Sequence, residues 1–261
     1  MSPREKYMKR TLIVTGASSG MGREFALTLA KKLSPEEVWL VARSEEKLKE
    51  VADNIAAPCL IIPADLSTLD GLEKLFIELE KRKPDCICLV NGAGFGKFGG
   101  FEDIELGSQQ EMIFLNCTAL MSICHRVGEY MKKGGVIYNI GSLSSFQPVP
   151  YINTYGATKA FVLSFSRALN REWKKRGIKV MAVSPGWVKT DFFQRAVKDD
   201  TIKYYNKFFT AEQVVKRALS DMERSKDVSV CGFSIRCQVL ACKLLPHKLV
   251  MAIWCKQQKK G

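Results

Sequence analysis

Thr11-Leu12-Ile13-Val14-Thr15-Gly16-Ala17-Ser18-Ser19-Gly20-Met21-Gly22 is a short apolar run that breaks into glycines, and from Gly22 to Lys32 apolar residues recur at helical spacing. The stretch reads as a strand, a tight glycine-rich turn and the start of a helix. Such a turn lets backbone amides approach a pyrophosphate, and the helix N-terminus adds a partial positive charge. Gly16, Ser18, Ser19, Gly20, Met21 and Gly22 are therefore candidate dinucleotide-binding residues. A glycine-rich loop alone is also compatible with a plain tight turn. Here it follows a strand and opens a helix near the N-terminus, as a dinucleotide site requires.

Outward from this stretch, strand and helix signals alternate to about residue 220. Strands are expected at Val38–Ala42, Cys59–Ile62, Asp85–Val90, Gly135–Ile140 and Lys179–Val183, with helices at Glu45–Ile55 and Thr68–Lys81. Short apolar strands alternating with longer helices imply βαβ units and a parallel sheet. No repeat, low-complexity tract or linker divides the chain. The expected fold is a single α/β Rossmann-type domain over residues 1–261. Its parallel sheet is doubly wound, with order 3-2-1-4-5-6, helices on both faces and room for a seventh strand near Val228–Cys231.

The second strand ends in Ala42-Arg43-Ser44. An NAD site usually places a carboxylate about 20 residues beyond the glycines, on the ribose 2′-hydroxyl. A guanidinium at Arg43 suits a 2′-phosphate instead, and Ser18 and Ser44 add donors, so NADP(H) is the expected cofactor. The competing reading of Arg43 is a solvated surface residue. Further on, Tyr155 and Lys159 lie one helical turn apart on one face. A free phenol has a pKa near about 10, and a neighbouring ammonium is expected to lower it. By itself this pair is also common on helix surfaces.

Taken together, these motifs resemble the short-chain dehydrogenase/reductase family. The resemblance covers roughly residues 10–195. It rests on the glycine-rich turn, Asp65-Leu66, Asn91-Gly92-Ala93-Gly94, Asn116, Ser142, Tyr155 with Lys159, and Pro185-Gly186. It implies that Tyr155 is the general acid for ketone reduction and the general base for the reverse. Lys159 would hold the nicotinamide ribose and tune Tyr155, Ser142 would bond the substrate oxygen, and Asn116 would help hold a relay water. Asp65, beside Leu66, would contact the adenine. Asn91, Ala93 and Gly94 would line the cofactor, with Val188 and Thr190 beyond Pro185-Gly186 on its carboxamide and phosphates. Two departures stand out. Gly92 replaces a second Asn, and nothing matches the Asp-Gly-Gly that helps many members build a tetramer. A homodimer through helices near 103–131 and 155–175 is the expected assembly.

Residues 187–215 are the expected substrate loop. They carry Trp187, Phe192, Phe193, Tyr204, Tyr205, Phe208 and Phe209, while Phe95, Phe98 and Phe146 lie in other loops at the same end of the sheet. These aromatics read either as ordinary packing or as an apolar pocket for a hydrophobic ketone or alcohol, such as a hydroxysteroid, bile acid or 3-oxoacyl group. Apolar residues make up 46% of the 261, and the net charge is +13. That charge fits a cationic enzyme with an anionic cofactor; the other reading is a nucleic-acid or membrane-surface protein, and no nucleic-acid motif supports the former. Nine scattered Cys and two His, without Cys-x-x-Cys pairs, argue against a metal site and for reduced thiols in the cytoplasm. From Val228 to Gly261 there are six Lys or Arg and no Asp or Glu. This atypical basic tail is too short and too charged to span a bilayer. It is expected to pack on its own domain or a partner subunit, with a place on a membrane surface as the other reading. A regulator that keeps the fold and cofactor but has little catalysis is the alternative function, which the retained Ser142, Tyr155, Lys159 and Asn116 disfavour.

Overall fold

The computed structural model describes residues 8–190, Phe192, Ala196 and residues 201–260. The expected loop aromatic Phe193 lies outside them. The chain forms β1 (Arg10–Thr15), α1 (Gly20–Leu33), β2 (Glu37–Ala42), α2 (Glu45–Ala52), β3 (Cys59–Pro63), α3 (Leu69–Arg82) and β4 (Asp85–Asn91). There follow α4 (Leu106–Ile113), a π-helical turn (Phe114–Ala119), α5 (Leu120–Gly128), β5 (Val136–Ile140), α6 (Asn153–Trp173) and β6 (Lys179–Val183). The chain then runs through β7 (Trp187–Val188), β8 (Phe208–Phe209), α7 (Ala211–Glu223), β9 (Val228–Ser229), α8 (Phe233–Leu244) and α9 (His247–Gln257).

Among the described residues the main sheet has seven strands in the order β3-β2-β1-β4-β5-β6-β9, all paired in parallel. This is the doubly wound Rossmann α/β fold. The seventh strand is shorter than the sequence suggests, because only Val228 and Ser229 find partners, on Ala182 and Val183. Both faces of the sheet are covered. In β1, Leu12 and Val14 join Phe25 and Leu29 of α1 and Val214 and Ala218 of α7. Ile13 points the other way, into a cluster with Leu75 and Leu79 of α3, Ile123 of α5 and Val162 of α6. Alternation along the strand thus feeds two cores. The strand order reverses between β1 and β4, so a crevice opens beyond their C-terminal ends.

The tail packs on its own domain. Ile235 and Val239 of α8 enter the α1/α7 core. Cys242 donates to the Gln147 side chain (2.6 Å), and Trp254 of α9 donates through Nε1 to the Pro150 carbonyl (3.0 Å). The carboxamide oxygen of buried Gln258 accepts from the backbone N–H groups of Lys203 and Tyr204. Among the described residues no helix is long and apolar enough to cross a membrane. All nine cysteines are free thiols; Cys86, Cys88, Cys124, Cys231 and Cys242 are buried and Cys237 is exposed.

Candidate active site

The crevice is a cavity of about 860 Å³. At one end lies the β1–α1 turn. Gly16 has φ 64°, and a Cβ there would stand 2.6 Å from the Ala93 nitrogen. A Cβ at Gly22 would stand 2.1 Å from the Gly16 carbonyl oxygen. Glycine is needed at both positions for the turn to press against α1 and against the loop after β4. Ser19 is the N-cap of α1, yet its side chain makes no capping hydrogen bond and the first turn carries no acidic residue. The amides of that turn are thus left to face a ligand in the cavity. Arg43, Ser44 and Lys47 line the same cavity where β2 passes into α2. A backbone cradle with two cations beyond it fits a dinucleotide carrying an extra phosphate.

The residues expected to bind cofactor mostly converge. Gly16, Ser18, Ser19, Gly20, Met21, Gly22, Arg43, Ser44, Asp65, Leu66, Ala93, Gly94, Pro185, Gly186, Val188 and Thr190 all line the cavity. Asp65 also anchors its own loop, its Oδ1 accepting from the Ser67 amide (3.0 Å) and hydroxyl (2.7 Å). Asn91 is placed differently. Its side chain is buried under the cavity floor, donating to Asn139 Oδ1 (2.9 Å) on the neighbouring strand. Asn91 therefore stiffens the β4–β5 pair, and it is the loop after it that faces the cavity.

At the other end, Ser142, Tyr155 and Lys159 line the cavity together. Ser142 leads out of β5, while Tyr155 and Lys159 sit in the first turns of α6. Burial pushes the Tyr155 phenol up to about 12, opposed by a hydrogen bond from Ser142. Burial likewise lowers Lys159 to about 8. The Lys159 ammonium donates to the Ile140 carbonyl (2.8 Å) and lies 5.7 Å from the centre of the Tyr155 ring. In the free protein burial is the largest influence on the phenol, and Tyr155 stays protonated at neutral pH. Asn116 stands behind the cavity, fully buried in the π-helical turn. Its carboxamide accepts from Phe95 N (3.2 Å), donates to Phe95 O (2.9 Å) and donates to Thr158 Oγ1 (3.0 Å). It thereby ties the loop after β4 to α6.

The short chain dehydrogenase family model matches residues 10–201 of this chain. The chain belongs to the short-chain dehydrogenase family. A short-chain dehydrogenase from Sphingobium yanoikuyae, solved in complex with NADPH, is 30% identical with a TM-score of 0.75, covering 93% of this chain and 95% of that one. The bulky-bulky ketone specific alcohol dehydrogenase from Comamonas testosteroni is 27% identical with a TM-score of 0.73, covering 93% and 94%. The very-long-chain 3-oxoacyl-CoA reductase of Rattus norvegicus is 34% identical over 189 residues, which are 68% of this chain and 59% of that protein.

Around the Ser142–Tyr155 end of the cavity in this short-chain dehydrogenase, the loop aromatics divide. Phe95, Phe98, Trp187, Phe192 and Tyr204 line the cavity. Phe98 packs edge-on and Phe192 tilted against the Tyr155 ring, with centroids 5.8 and 5.7 Å away. Phe209 and Phe146 pack in the core instead. Tyr205 packs on Trp187 with centroids 4.9 Å apart, and also contacts Phe208. Sequence reasoning missed two groups. Lys47 lies four residues after Arg43, a spacing that puts both at the cavity once α2 starts at Glu45. The tail also closes the dehydrogenase's cavity with Gln238, Cys242, Leu245, Val250, Ile253 and Trp254. The apolar residues of the tail were readable in the sequence; what they cover was not.

Proposed function

We propose that this short-chain dehydrogenase uses NADP(H) to reduce a hydrophobic ketone to a secondary alcohol, or to run the reverse oxidation. The observation that carries the reading is one cavity holding Arg43 and Lys47 at one end and Ser142, Tyr155 and Lys159 at the other. The NADPH bound by the Sphingobium yanoikuyae structure supports the cofactor. The cofactor would rest its pyrophosphate on the amides from Gly16 to Gly22, its 2′-phosphate against Arg43, Ser18, Ser44 and Lys47, and its adenine near Asp65 and Leu66. Ala93, Gly94, Val188 and Thr190 would flank the rest.

When bound, NADPH supplies the hydride for the carbonyl carbon. The chain's own groups handle charge and proton. As negative charge grows on the substrate oxygen, the Ser142 hydroxyl and the Tyr155 phenol donate hydrogen bonds to it, and Tyr155 gives up its proton. Lys159 stands beside the phenolate that remains and favours its formation. Asn116 holds the Phe95 backbone and Thr158 in place, so that the loop after β4 and α6 keep their spacing. The aromatic wall of Phe98, Trp187 and Phe192 excludes water and favours an apolar substrate. A hydroxysteroid, bile acid or 3-oxoacyl group fits such a wall, in line with the bulky ketones and 3-oxoacyl-CoA named for two relatives. The chain is expected to work as a homodimer through α4, α5 and α6.

A screen of hydrophobic ketones, hydroxysteroids and 3-oxoacyl thioesters, followed by NADPH absorbance, tests this reading. Tyr155→Phe should lower turnover by about 10²-fold or more while NADPH binding is retained. Near-native turnover in that variant would overturn the assigned proton donor.

A further inference from the structure

The two tail helices are apolar on both sides. Ile235, Val239, Cys242 and Val250 face inward and are buried. On the outside, Leu240 and Leu244 of α8 form one stripe at i, i+4 spacing, and Leu249 and Ile253 of α9 form another. Phe233 is 76% exposed, Leu244 75% and Leu240 58%. Leu245 and Pro246, between the helices, are exposed as well. A surface helix of a globular protein ordinarily turns polar residues outward, and clustered exposed apolar side chains mark an interaction surface. Exposed Arg236, Lys243, Lys248 and Lys256 border the stripes, and residues 228–261 hold no carboxylate at all.

We propose that the outer face of the α8–α9 hairpin docks on the surface of an anionic lipid bilayer. Apolar stripes bordered by lysine and arginine suit an interface whose acyl boundary takes the leucines and whose headgroups meet the cations. A second copy of the chain suits this face poorly, because two carboxylate-free, cationic borders would meet. The docking is peripheral, since neither helix can cross a membrane. Leu245 and Ile253 are exposed and also line the cavity. The docked face is therefore where the cavity approaches the surface. Entry of an apolar substrate from the bilayer follows, a corollary that rests on the proposed activity.

The test is co-sedimentation of the full chain, without cofactor or substrate, with vesicles of phosphatidylserine and phosphatidylcholine or of phosphatidylcholine alone. A negative result would thus leave the catalytic reading untouched. The expected result is binding to the anionic vesicles, about tenfold or more weaker on neutral ones and weakened by added salt. Leu244→Glu/Leu249→Glu should abolish binding, and Lys248→Glu/Lys256→Glu should weaken it tenfold or more, with thermal midpoints and oligomeric state unchanged. Neither pair lines the cavity. Failure of the native chain to bind anionic vesicles would overturn the proposal. So would a leucine variant that binds normally, or one that changes only the oligomeric state and thereby makes this face a contact between copies.

Discussion

At the scale of single residues, Arg43 and Lys47 are the groups proposed to discriminate between cofactors. Both line the cavity where a 2′-phosphate would lie, and the position that suits an NAD ribose holds Ala42 in place of a carboxylate. NADPH should bind at least about tenfold more tightly than NADH, a difference of about 1.4 kcal/mol. Fluorescence titration of Arg43→Ala should find most of that preference gone, and Lys47→Ala should remove part of it. Equal native affinities for the two cofactors would overturn the assignment. Lys159 offers a test in the free protein. Burial lowers its ammonium from the ordinary 10.5 to about 8. Below pH 8 both folded and unfolded chains carry the proton, and the folded state bears the full cost of the buried charge. Between pH 8 and 10.5 only the unfolded chain keeps it, so stability rises with pH across that window, by roughly 3 kcal/mol in all. Urea midpoints from pH 7 to 10 should rise more in the native chain than in Lys159→Met; parallel curves would refute the shift. The position of Arg43 was legible in the sequence because strand ends are sharp. The upward shift of Tyr155 was not, since it depends on how completely Phe98 and Phe192 enclose the ring.

At the scale of elements, the π-helical turn at Phe114–Ala119 is the least expected feature. Nothing in the periodicity of residues 106–128 announces it. Asn116 was legible as a motif residue, but its structural work was not. Asn116→Ala would leave the Phe95 amide and carbonyl without their side-chain partner, at a cost of about 1–3 kcal/mol. Turnover should fall with it, since Phe95 adjoins the catalytic end. An unchanged urea midpoint would show that Phe95 finds other partners. Strands were readable almost to the residue because both sheet faces are buried, which forces continuous apolar runs. Helix ends were less so. α2 stops at Ala52 rather than continuing to Ile55, and α1 begins at Gly20, where the turn's tight packing sets the start. Asn91 shows the same limit in a side chain. A motif places it beside the cavity, and the pleat of β4 turns it toward Asn139 instead.

At the scale of the whole molecule, the tail decides whether the cavity is closed. Removing residues 232–261 would take Ile235 and Val239 out of the α1/α7 core and strip Cys242, Val250 and Trp254 from the cavity. Each large apolar side chain lost contributes about 1.5–3 kcal/mol, so the truncated chain should melt about 10 °C lower or more, or aggregate. Calorimetry and solubility on the truncation check this; a soluble chain with the native melting point would show that the tail only leans on the body. The identity of what the tail packs on is a tertiary matter, carried by Gln147, Pro150 and the backbone of Lys203 and Tyr204. The distribution of thiols through the same molecule has a consequence of its own. Cys86 and Cys88 are sealed in β4 and Cys124 in α5 packed against it, and burial pushes Cys124 up to about 12, whereas Cys237 stands in solvent. A thiol-reactive dye would mark Cys237 at once and reach the sealed three only when the sheet opens. The pace of their labelling would then track the free energy of that opening wherever reclosing outruns the dye. The chain thus contains its own unfolding clock, with the exposed thiol as the zero of its scale.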